Sequence, residues 1–180
     1  FFLSWLPSYL ARTYEVSILT QGGATIIIWG LATVVMFFSG PIFDLIYKKT
    51  GSCRYARSYP IIVAHIIPAL CILTIFLYGS KLSIWGTITL IAISISFVMM
   101  GAPTYYAVTL DVVKKGTGFA LGVLEASTSI AGFLAPVVTG YIVDVTKSFN
   151  AAFVFLIVLG LMAAIVVWLF HRPDNYIELK

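Results

Sequence analysis

"FFSGPIFDLIYK", Phe37 to Lys48, closes one apolar run of the chain, and "VVTGYIVDVTK", Val137 to Lys147, closes another. Each places a glycine four residues before an aspartate, Gly40 with Asp44 and Gly140 with Asp144, at a separation of 100 residues. A second pair lies at nearly the same separation. "SWLPSYLA", Ser4 to Ala11, returns as "MGAPTYYA", Met100 to Ala107, with Pro7 over Pro103, Tyr9 over Tyr105 and Ala11 over Ala107, 96 residues apart. Two marks at almost one offset indicate a duplicated unit.

Composition says what kind of unit. With 61% hydrophobic residues, 10% charged residues and a mean hydropathy of +1.03, the 180 residues lack the polar surface that would cover a water-soluble globule. The apolar runs reach the roughly 20 residues that a membrane-crossing helix needs. They predict the end of a first span over 1 to 10 and further spans over 22 to 46, 58 to 78, 83 to 110, 118 to 142 and 150 to 170. Runs without alternation favour helices over barrel strands. The fold class is therefore an all-α membrane bundle of six spans, the first one truncated. The first run is short, the chain opens on Phe1, and no basic segment or small-residue cleavage site marks a leader, so the expectation is a fragment that begins inside a helix. Spans one to three (1 to 78) and four to six (83 to 170) then read as two copies of a three-helix unit, followed by a tail, 171 to 180. An odd number of spans per unit turns the second copy over, giving a 3+3 inverted repeat.

Basic residues set an orientation. Lys48, Lys49, Arg54, Arg57, Lys114, Lys115, Arg172 and Lys180 fall in one set of connections, and only Arg12, Lys81 and Lys147 in the other. This bias predicts that the 47 to 57 loop, the 111 to 117 loop and the C-terminus face the cytoplasm, and that Cys53 is reachable from that side alone. The net charge of +4 calls for no nucleic-acid partner, because a basic fringe beside anionic membrane lipid accounts for it.

The stretch "GPIFDLIYKK", Gly40 to Lys49, resembles the G-x-x-x-D-R-x-G-R-K loop of the major facilitator superfamily: Gly40, Asp44, Lys48 and Lys49 match, while Leu45 and Tyr47 stand in place of Arg and Gly. "GFALGVLEASTSIAGFLAP", Gly118 to Pro136, resembles the eleventh helix of the anion:cation symporter family within that superfamily, and "SWLPSYL" the end of its seventh helix. The resemblance implies the C-terminal six-helix half of a secondary transporter in a bacterial inner membrane. It further implies a gating role for Gly40, Asp44, Lys48 and Lys49, an N-terminal six-helix half as partner, and rocking of the two halves around a central site. Its solute would be a small organic anion such as a sugar acid, carboxylate or sugar phosphate, with a proton or other ion for coupling.

Glu125 is the residue that chemistry singles out. It lies about seven residues, roughly 10 Å, into the fifth span, where an ionisable group facing lipid would cost several kcal/mol. It is expected to face a polar cavity. By the resemblance it stands where sugar-acid members carry Asn, and an acid there points to proton coupling or to a solute bearing an amine, such as an amino acid, nucleoside or cation. The competing reading is a packing acid bonded to Ser129 or to a helix of the other half. Tyr105 and Tyr106 on the fourth span, Ser129 on the fifth and Tyr9 on the first complete the candidate solute site, as aromatic walls with hydroxyls. Ser127, Thr128 and Ser129 can each donate to a solute or bond back to their own helix, and at least two of them are expected to bond back; Trp5 reads as a matching aromatic wall or an interfacial anchor, and His65 as a proton relay or a helix-bonded residue. Gly118, Gly122 and Ala126 form a small-residue stripe that predicts close approach of a neighbouring backbone.

Other classes fit less well. Only two histidines, His65 and His171, are present, no acid pair sits at helical spacing within a span, and no glycine-rich phosphate loop follows a strand, so neither an enzyme nor a bound metal or cofactor is expected. A channel would want a filter loop or a ring of selectivity residues, and a mere scaffolding bundle leaves Glu125 unexplained.

Overall fold

The computed structural model describes residues 2–177; Phe1 and Lys180, which carried the start of the first span and one of the basic tail residues, lie outside the described residues. The order is α1 (Phe2–Tyr14), α2 (Ile18–Thr50), a π-helical turn (Arg54–Ser58) leading into α3 (Tyr59–Tyr78), a 3-10 turn (Gly79–Lys81), α4 (Ile84–Val112), α5 (Thr117–Thr146), α6 (Phe149–Phe170) and a short α7 (Asp174–Ile177). Five stretches, α2, Arg54–Tyr78, α4, α5 and α6, are long and apolar enough to cross a membrane. The chain is an all-helical integral membrane segment.

Local chemistry explains where helices start and stop. Ser17, Ser83 and Ser148 sit in extended backbone at one end of the bundle, and each hydroxyl accepts a backbone N–H of the helix it opens, α2, α4 and α6. These caps satisfy donors that a helix start leaves free. At the other end, called here the basic end, Gly51 at φ +66 closes α2 with its N–H on the Tyr47 carbonyl, a left-handed cap that favours glycine. The helix thus runs four residues past the predicted 46, and Gly40, Asp44, Lys48 and Lys49 lie on its last turns rather than in a loop. Apolar sequence ends at Ile46, but nothing in "YKKT" breaks a helix before glycine does.

The packed body is α2, α3, α4 and α6, with α4 in the middle; Ile28 and Ala32 of α2, Ile72 of α3, Ile91 and Ile95 of α4 and Phe153 of α6 are buried together with Leu6 and Leu10 of α1. α5 stands apart: of its 30 residues only Thr139 and Val143 are buried, and Phe119, Phe133 and Tyr141 are fully displayed. Gly118, Gly122 and Gly132 have open space where a side chain would be. The expected close approach along that stripe is therefore absent within this chain. Close approach occurs at Gly101 instead, where an added Cβ would lie 2.7 Å from Ala64 Cβ on α3. Neither methyl can rotate away, so Gly101→Ala must push α3 and α4 apart. It is expected to lower stability by about 1–3 kcal/mol, read as an earlier melt of the full-length protein in detergent. Gly118→Ala, whose methyl meets nothing within 4 Å here, is the contrast.

Candidate functional site

The seventh residue from the end of α4, Tyr106, and the ninth residue of α5, Glu125, meet across the two helices: the Tyr106 hydroxyl donates to Glu125 Oε1. By helical rise both lie about 9–12 Å from the basic end. Both are exposed. Beside them Tyr105, Tyr106 and Thr128 line a cleft of about 230 Å3 between α4 and α5. Tyr105 is half-buried, its ring turned into that cleft.

The remaining candidates are placed differently. Ser129 is exposed and does not border the cleft, and the bonding partner of Glu125 is Tyr106 rather than Ser129. Tyr9 is buried at the other end of the bundle between Phe149 and Phe153 of α6, with ring centroids 5.4 and 5.2 Å away. Tyr9 and Tyr105 answer each other in the repeat, yet only Tyr105 borders the α4–α5 cleft. Ser127 and Thr128 bond back to Val123 and Leu124, and His65 Nδ1 donates to the Ile61 carbonyl at 2.8 Å. Trp5 is a seam residue: its Nε1 donates to the Pro136 carbonyl at 3.3 Å and its ring lies 3.0 Å from where a Gly140 Cβ would be.

A second constellation closes the basic end. Arg57, only 4% exposed, reaches Asp44 on α2 at 2.8 Å and Asp111 on α4 at 3.0 Å, so one guanidinium ties three helices. Its fork of donors suits two carboxylates, which a lysine could not serve in the same way. Lys48 and Lys49 remain exposed beside it. Cys53 is fully buried, its thiol 3.7 Å from Asp111 Oδ2, and burial next to that carboxylate pushes its pKa up to about 12. Cys53 is therefore closed to reagents from either side, contrary to the accessible loop thiol expected from its basic neighbours.

The tail fastens the same corner. Asp174 accepts from the backbone N–H of Cys53 (2.6 Å) and of Arg54 (3.1 Å) and from the Ser52 hydroxyl (2.8 Å), capping the turn that opens α3. Next to it the Ser58 hydroxyl and His171 Nδ1 share a hydrogen bond of 2.8 Å, and the same hydroxyl lies 3.3 Å from the His171 carbonyl. Burial lowers the His171 pKa, which favours the neutral ring. A depressed folded pKa contributes stability that is present above the ordinary value of about 6.5 and is lost as pH falls through the lowered one. A spin label on Asn175→Cys of the full-length protein should accordingly become more mobile between about pH 7.5 and about pH 5.5. Asp174→Ala should free it at both pH values, and an unchanged spectrum would show that the tail is held by something else.

Arg57 and Asp111 were not legible as a pair. Arg57 counted only as one of a basic fringe, and 54 residues separate it from Asp111. The available signal was that Asp111 is the one acid among the residues joining two apolar runs, 111 to 117.

No family model matches the chain, and no solved structure matches it. Curated proteins do. The chain is 32% identical over 174 residues to the hexuronate transporter of Bacillus subtilis, covering 96% of this chain and 41% of that protein. It is 31% identical over 176 residues to the probable galactarate/D-glucarate transporter GarP of Escherichia coli, covering 97% and 38%. It is 27% identical over 171 residues to the probable sulfoacetate transporter SauU of Cupriavidus necator, covering 92% and 39%. The chain belongs to the anion:cation symporter family of the major facilitator superfamily. It spans about two-fifths of the length of these curated relatives. In this family member the almost wholly unburied α5 meets α4 at the Tyr106–Glu125 pair, and the Arg57 bridge ties the basic end.

Proposed function

We propose that the chain is the C-terminal half of a secondary transporter for a small organic anion, a sugar acid or related carboxylate, and that the Tyr106–Glu125 pair forms part of its solute and proton site. The observation that carries this reading is the hydrogen bond itself, which sets a carboxylate and a phenol together on the exposed side of α4 and α5. An acid well inside an apolar span calls for a function. The names of relatives, hexuronate, galactarate/D-glucarate and sulfoacetate transporters, support the anion class. An anionic solute and an ionised Glu125 repel, so binding is coupled to a proton on Glu125, and Tyr106 orients whichever form is present. An N-terminal six-helix half covers this exposed side, and the two halves rock about the site.

The reciprocal contacts of the repeat marks support the inverted arrangement of 1–78 and 83–170: a Cβ added at Gly40 of α2 would lie 3.9 Å from Pro103 of α4, and one added at Gly140 of α5 would lie 3.0 Å from the Trp5 ring of α1. Each glycine meets the proline-bearing phrase of the other unit. The basic end faces the cytoplasm of a bacterial inner membrane, with the 171–180 tail on that side. There the Arg57 bridge clamps α2, α3 and α4, and Asp44 is the member of the "GPIFDLIYKK" segment that takes part in gating. Uptake of labelled glucuronate by the full-length protein in proteoliposomes, with and without an inward proton gradient, tests the reading. Gradient-stimulated accumulation is expected. Transport of an amine-bearing solute in its place would overturn the anion class and favour the second reading that the bare carboxylate of Glu125 suggests.

A further inference from the structure

At the end opposite the basic one, α1, α3 and α5 finish and α6 begins. Between them lies a cavity of about 480 Å3 whose polar lining is Tyr9, Arg12, Thr13, Lys147, Ser148 and Asn150, with no acidic side chain. A second cavity of about 360 Å3 shares Arg12, Val143 and Lys147 with it and continues to Trp5, with Asp144 on its wall. Two of the three basic residues assigned to this end of the sequence thus converge on one recess.

Arg12 is uncommitted. It is exposed, enters no ion pair among the described residues, and its guanidinium carbon lies 5.9 Å from the centre of the Phe149 ring, which forms a cation–π shelf. Lys147 bonds Asp144 at 2.6 Å, but the two side chains are 79% and 80% exposed, and such a pair is weak and exchangeable. Lys147 and Glu15 are the non-glycine residues at positive φ among those described, +53 and +51, and each terminates a helix beside the recess. A side chain rarely occupies that region without a reason in its surroundings. Arg12, Lys147 and the positive end of α6 stand against Asp144 on the wall and Glu15 just beyond α1, and no carboxylate lines the larger cavity itself.

The geometry points to a carboxylate-collecting vestibule at this end. Arg12 takes the solute's carboxylate through two parallel N–H bonds, Lys147 exchanges Asp144 for it, and the hydroxyl and amide groups of Thr13, Ser148 and Asn150 are at hand for the solute's other polar atoms. The site deepens the sugar-acid reading and rests on it only for the identity of the anion: the recess selects a carboxylate or sulfonate over a neutral or cationic solute.

Two readouts test it on the full-length protein. In the first, a single thiol is placed at Thr13→Cys, and its rates with a sulfonate-bearing and a trimethylammonium-bearing methanethiosulfonate are compared, each normalised to a free thiol. The anionic reagent should be favoured, and Arg12→Gln with Lys147→Gln should remove the preference. A ratio at or below that of a free thiol, or one the double variant leaves unchanged, overturns the vestibule. In the second, glucuronate uptake by the double variant should show KM raised about five- to tenfold, as loss of a charged contact gives, with kcat kept; an unchanged KM also overturns it. If the reagent preference stands while glucuronate is neither taken up nor slows labelling, the anion recess holds and the sugar-acid reading falls.

Discussion

Arg57→Met should lower the stability of the full-length protein more than any other single charge change in this half. Breaking a buried pair typically costs about 3–5 kcal/mol. The lower part of that range is expected here, because the Asp44 and Asp111 side chains are 58% and 24% exposed and partly rehydrate when the guanidinium leaves. Two carboxylates would then face each other across α2 and α4 with no cation between them. Arg57→Lys keeps the charge but not the fork, and should fall between wild type and Met. Adding Asp44→Asn and Asp111→Asn to Arg57→Met should recover much of the loss, since the cost lies in unpaired charge. Thermal melts in detergent give all four values. Asp144→Asn, which removes an exposed pair with Lys147, should move the melt little. Equal shifts for Arg57→Met and Asp144→Asn would mean that the three-helix bridge adds nothing beyond a surface contact.

The largest effect on activity is expected at Glu125. Glu125→Gln keeps the shape and can still accept from the Tyr106 hydroxyl, but it carries neither a charge nor an exchangeable proton. Gradient-driven glucuronate accumulation should drop by about tenfold or more, the effect of losing one charged hydrogen bond or coupling proton, while exchange of internal for external solute persists. Tyr106→Phe should weaken both modes together, because it removes the partner without touching the proton. An amine-binding site would instead lose affinity for its solute under Glu125→Gln. A simple packing acid predicts normal transport and slightly better expression, because an uncompensated acid has been neutralised. Wild-type rates in both assays would remove Glu125 from the site.

The placement of these two residues shows what could be read early and what could not. Glu125 was visible in the sequence because one acid in a twenty-residue apolar run has no cheap place to go, and that argument needs no neighbours. Its partner was visible only as a type: Tyr105 and Tyr106 were both candidates, and helix rotation gave the bond to Tyr106 while both line the cleft. Tyr9 and Tyr105 part company because a repeat copies sequence and not surroundings: Tyr9 packs on α6 and lines the cavity at the opposite end, whereas Tyr105 borders the α4–α5 cleft. Ser129 was chosen for its proximity along the chain, and on a helix four residues apart does not oblige two side chains to bond.

By itself the sequence determined the class: apolar runs of crossing length dictate helices in lipid, because no other open structure satisfies its own backbone there. The duplicated phrases were equally plain. What only the tertiary structure decided is which distant charges meet. Arg57 with Asp44 and Asp111, Asp174 on the turn before α3, and Arg12 with Lys147 at the opposite recess are each assembled from separate helices. The physical reason is that hydropathy is a property of each residue summed along the chain, whereas a salt bridge depends on helix rotation and crossing, which close contacts such as that of Gly101 with Ala64 set.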